Sequence, residues 1–115
     1  MSDTSATPLP PCPDAPNCTR TTQAFDAGPD ALFQAAQRAL NDLGPSDVTA
    51  HPDERRAAAV YRVGFIFKDD VQIAVTADNG ASVLHIRSES RVGYEDFGVN
   101  ERRVDRFFRA LNKHL

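Results

Sequence analysis

The sequence predicts an α+β domain. A four-stranded antiparallel meander carries one helix before it and one after it, both on one face, in the order α-β-β-β-β-α. Three observations predict this. Two segments, near residues 29–43 and 100–115, repeat apolar residues at helical spacing. The chain between them alternates apolar with polar residues, as strands do. Its alternating runs are separated by short turns such as Asp78-Asn79-Gly80, where Asn-Gly accepts positive φ.

Residues 1–24 read as a flexible N-terminal segment, since Met1 to Pro11 is rich in Ser, Thr and Pro. The domain then spans 25–115. Its first helix opens at Gly28-Pro29-Asp30, with proline at the first helical position and an acid in the first turn. Leu32, Ala35, Ala36, Ala39, Leu40 and Leu43 form its buried stripe, and Gly44-Pro45 ends it. A short strand over Asp47–His51 leads to a polar turn at Pro52-Asp53-Glu54. The longest strand is expected over Arg56–Phe67, and Lys68-Asp69-Asp70 reads as the next hairpin turn. Val71, Ile73, Val75 and Ala77 alternate in the third strand. The fourth begins at Ala81 and puts Leu84 and Ile86 on one side, His85, Arg87 and Glu89 on the other. That second face, with Arg62, Gln72 and Thr76, is polar enough to be wet or to meet a partner. A turn bounded by Gly93 and Gly98 follows, and Asn100 is expected as the N-cap of the closing helix. Val104, Phe107, Phe108, Leu111 and Leu115 form that helix's stripe.

Length and composition bound the function. A chain of 115 residues with 41% apolar side chains, seven of them Phe, is enough for one real core. A net charge of −3 lacks the basic excess of a general nucleic-acid binder. No run of about 18 apolar residues is present, so no membrane span is expected. The first residues have neither a basic start nor an apolar run, so the chain as written is expected in the cytoplasm, or outside it if a leader has been removed.

Cys12 and Cys18 enclose five residues, two of them proline. A structural disulfide is the leading reading. Plain thiols, and a metal or redox role, stand beside it, although this spacing is neither the C-x₂₋₄-C of zinc sites nor the C-x-x-C of redox pairs.

The densest cluster of capable side chains is Arg87, Ser88, Ser90, Arg91, Asp96, Asn100 and Arg103. One reading is structural, with the arginines pairing with Asp96 or Asp70 to hold the turn. A second is a pocket for a small anionic ligand, with Arg87 and Arg91 as donors near a helix N-terminus. A third is a small enzyme using Arg87, Ser88, Arg91 and Asp96. A Ser-His-Asp arrangement is disfavoured, because Ser88 lies three residues from His85 on a strand and faces the other side. His51 and His114 are isolated, and no metal motif or cofactor is indicated. The expectation is a non-catalytic binding module, its partner an unidentified protein or small anion.

CPDAPNC, FKDDV and IRSESRVGYEDFGVNERRV together resemble domain of unknown function family 1499. The resembling block falls on Arg87, Ser88, Ser90, Arg91, Gly93, Asp96, Gly98, Asn100, Arg103 and Val104. The resemblance implies a small α+β domain and no particular reaction. It also implies relatives that are exported or directed to plastids, from which this chain departs in lacking a leader.

Overall fold

The computed structural model describes residues 7–13, 17–91 and 98–115. Five strands and two helices follow in order: β1 (Cys18–Phe25), α1 (Pro29–Asp42), β2 (Asp47–His51), β3 (Arg56–Val63), β4 (Phe67–Asp78), β5 (Ala81–Ser90) and α2 (Val99–His114). Every pairing is antiparallel and the sheet order is β1-β5-β4-β3-β2.

The α+β class and the two helices are as expected, but the count of four strands is corrected to five and the order to β-α-β-β-β-β-α, since a strand precedes α1. The added strand, β1, comes from within the segment that composition alone sets apart. Its sequence, Cys-Thr-Arg-Thr-Thr-Gln-Ala-Phe, lacks the apolar alternation of the other strands. Its core-side residues are Thr19, Thr21, Gln23 and Phe25, and Phe25 packs against α2, stacking on Phe108 with ring centroids 6.5 Å apart. Thr is a good strand former because its branched side chain suits the pleat.

A second correction concerns the hairpin between β3 and β4. The reversal occurs at Gly64-Phe65-Ile66, not at Lys68-Asp69-Asp70, which lie inside β4. Gly64 supplies the left-handed conformation, at φ 66°. Asp69 is then in phase with Val71, Ile73 and Val75 and faces the core.

Both helices pack on that face and on each other. Leu32, Ala36, Ala39 and Leu40 of α1 and Val104, Phe107 and Leu111 of α2 close over Ala57, Ala59, Val71, Ile73, Leu84 and Ile86. Burying a Leu, Ile or Phe side chain stabilises by about 1.5–3 kcal/mol. Tyr61 ties the layers together by donating from its hydroxyl to the Leu40 carbonyl at 2.7 Å. Burial pushes its phenol up to about 12, with the nearby Arg103 and Arg106 pulling the other way.

Candidate functional site

The sheet divides the predicted cluster between its two faces. Ser88 and Ser90 point toward the helices, while Arg87 points away, as alternation along β5 requires.

On the helix side, the start of α2 meets the ends of β4 and β5 in a buried polar network. Ser88 Oγ donates to Asn100 Oδ1 at 2.6 Å, and Arg103 Nη1 donates to Ser88 Oγ at 3.2 Å and to Asn100 Oδ1 at 3.0 Å. Asn100 Nδ2 donates to Ser90 Oγ and to the Asn17 carbonyl, both at 3.0 Å. Asn100 is therefore not the N-cap. Gly98, at φ 80°, occupies that position, and the Asn100 side chain turns inward, fully buried. Arg103 also stands 5.2 Å over the Tyr61 ring and 2.8 Å from Asp69 Oδ2. Both N–H groups of Nη1 are directed at Ser88 and Asn100, so the Asp69 contact is an ion pair rather than a directed hydrogen bond. Asp69 is wholly buried and its Oδ1 has no donor among the described residues. Among the described residues, Ser88 Oγ is bonded to Asn100 and Arg103, and His85 lies across the sheet from it.

Arg91 sits at the rim, in a bidentate pair with Asp70 at 2.9 and 3.0 Å. That bond and charge hold its guanidinium still higher than its ordinary value. Asp96 and Gly93 lie outside the described residues.

The outer face is covered by the chain itself. Residues 7–13 cross it as a strap, and Cys12 and Cys18, bonded as a disulfide with Cα atoms 5.6 Å apart, turn the strap back into β1. Three arginines hold it. Arg56 Nη2 donates to the Pro8 carbonyl at 2.8 Å and Arg20 Nη1 to the Leu9 carbonyl at 3.1 Å. Arg87 Nε and Nη2 donate to the Pro10 and Pro11 carbonyls at 3.0 and 3.3 Å, while its Nη1 pairs with Glu89 at 2.9 Å. Pro8, Pro10 and Pro11 have no N–H, so this segment presents carbonyl acceptors, which arginine donors match. Arg20 and Arg87 are directly opposite across β1 and β5. Like charges so placed repel, and the carbonyls between them offset that.

Leu9 is buried beside a cleft of about 290 Å³ lined also by His51, Glu54, Arg56, Ala58 and Gln72. His85 is fully buried on this face, with Nδ1 3.1 Å from Thr22 Oγ1 and Nε2 2.9 Å from Thr76 Oγ1. Two hydroxyls can satisfy a neutral imidazole, one donating and one accepting. Burial pushes the His85 pKa down, and the Arg20 charge adds to this.

Asp69, Tyr61 and the strap-holding Arg20 and Arg56 are absent from the sequence-predicted cluster. The signal for Asp69 is its phase with Val71, Ile73 and Val75. Among the described residues, no three His, Cys, Asp or Glu side chains gather as metal ligands, and no helix is long and apolar enough to cross a membrane.

The family model described as a protein of unknown function, DUF1499, matches residues 8–111. The chain belongs to this family. In this DUF1499 chain the match runs from the strap to the last turn of α2, taking in both faces. No curated protein matches it in sequence. Its fold is similar to that of protein CV1439 from Chromobacterium violaceum, at 15% identity and a TM-score of 0.58, covering 86% of this chain and 95% of that one. It is similar also to Ara h 8.0201, at 10% identity and a TM-score of 0.61, covering 84% and 96%. Protein TTHA0849 from Thermus thermophilus gives 10% identity and a TM-score of 0.57, covering 84% and 95%. At such identities the likeness is one of fold alone.

Proposed function

We propose that this DUF1499 chain is a non-catalytic binding module whose recognition surface is the outer face of the sheet, and that this face takes extended, proline-containing segments. One observation carries the reading: Arg56, Arg20 and Arg87 donate to four successive main-chain carbonyls, those of residues 8–11. Such contacts depend on backbone shape more than on side chains, and proline pre-sets the extended form at low entropic cost. The Leu9 socket adds a side-chain preference. The chain's own strap is the resident occupant, kept at high effective concentration by the Cys12–Cys18 bridge. In support, the residues that an enzyme reading would combine, Arg87 and Ser88, stand on opposite faces.

The test uses the full chain with Leu9→Ala and Cys12→Ser, which weaken the strap. The probe is a synthetic peptide with the sequence of residues 7–13, serine replacing its cysteine. Calorimetry should detect saturable binding to this variant, none to the wild type, and loss of binding when Arg87→Ala is added. If the His85 imidazole signals show the strap displaced and the peptide still does not bind, the reading is wrong.

A further inference from the structure

We propose that the β3–β4 hairpin tip is a docking point for an anionic lipid bilayer surface, independent of the reading above. The tip sequence is Arg62-Val63-Gly64-Phe65-Ile66-Phe67-Lys68. Phe65 is 102% exposed and Ile66 79%. Two adjacent large apolar side chains at a hairpin reversal contribute nothing to the core and cost solubility. The same protein shows the ordinary solution one hairpin later, where Asp78-Asn79-Gly80 reverses the chain with polar residues.

The charges around the tip select the partner. Arg62 and Lys68 are exposed and directly opposite each other across β3 and β4. Like charges in that position repel in water, and neither has an ion pair among the described residues. The acids nearest in sequence are already engaged, Asp69 by Arg103 and Asp70 by Arg91. The next described acid on this side, Asp47, stands opposite Val60, two residues back along β3 from Arg62, and has no ion pair with it. The tip therefore offers two apolar side chains flanked by two cations that have no ion pair among the described residues. That is the composition of an interfacial anchor, in which apolar groups enter the headgroup boundary and basic groups meet anionic lipid. A hairpin reversal is convex, and a bilayer receives a convex apolar point without needing a matching groove.

The experiment is co-sedimentation of the full chain with vesicles of phosphatidylcholine alone or with one third phosphatidylserine. Binding to the phosphatidylserine vesicles is expected, falling as salt rises. Phe65→Ser with Ile66→Ser should weaken it by at least roughly tenfold. Arg62→Gln with Lys68→Gln should weaken it by roughly thirtyfold, at about fivefold per basic residue. Both variants should melt with the wild type, since these side chains are exposed. Absence of wild-type binding, or equal binding by the Phe65→Ser, Ile66→Ser variant, overturns the proposal. So does wild-type self-association in solution that this variant abolishes, which would make the tip a contact between copies.

Discussion

The two faces of the sheet bury charge in different ways. On the helix face, Asp69 and Arg103 lie beneath α2, and the guanidinium's partners are side chains that are themselves buried. On the outer face, Arg20, Arg56 and Arg87 donate to main-chain carbonyls of the strap. Removing a partner on the first face strands a charge inside the protein. Removing the cover on the second returns the arginines to water, where they are well solvated. The first arrangement is built from side chains within the core, the second from main-chain carbonyls of the strap.

The largest effect should come from breaking the first arrangement. Asp69→Ala or Arg103→Ala should destabilise by about 3–5 kcal/mol, because each leaves an uncompensated buried charge. Replacing both, as Asp69→Leu with Arg103→Met, should recover most of that loss. Urea denaturation measures all three. A loss below about 1 kcal/mol in both single variants would place the pair in solvent.

The outer face should give a smaller change. Cys12→Ser with Cys18→Ser should cost about 2 kcal/mol, the loop-entropy value for so short a ring. Hydrogen exchange should quicken in β1 and at residues around the strap and remain unchanged in α2. Equal quickening in α2 would show that the two faces unfold as one unit.

The smallest effect is a pH dependence confined to the outer face. His85 is buried and its pKa is lowered. Its neutral form therefore contributes stability that is complete above the unfolded pKa, about 6.5. Below that value the unfolded chain takes up a proton that the folded chain resists, and the contribution is lost as pH falls toward the folded pKa. Melting curves between pH 7 and 5 should show this decline, and His85→Gln should flatten it. A decline of the same slope in His85→Gln would assign it to another group.

Much of the fold was legible because apolar period decides it. The stripes of α1 and α2 and the alternation from Val71 to Ile86 each specify an element with a buried face. β1 was not legible, because an edge strand whose inward positions are mainly Thr and Gln carries no apolar alternation. The candidate site was half legible. Ser88, Ser90, Asn100 and Arg103 are close in sequence and do converge, but Arg87 is separated from them by the thickness of the sheet. Asp69 lies in an apparent turn motif, and only its phase with the following valines reveals that it is buried. The contact between the Pro8–Pro11 carbonyls and the arginines spans up to 77 residues of sequence, and no local pattern encodes it.

The pairing of β1 with β5 also sets an order of events. The first strand to be synthesised has no neighbour until the last strand exists, and Asn100 bonds to the Asn17 carbonyl across 83 residues. Contacts of such separation form late. The Cys12–Cys18 link, across six residues, is local and needs no partner strand. In an oxidising compartment the strap and the start of β1 can therefore close into a preformed hook while β2 to β5 assemble. Docking that hook then waits on β5 and α2, which supply its partners.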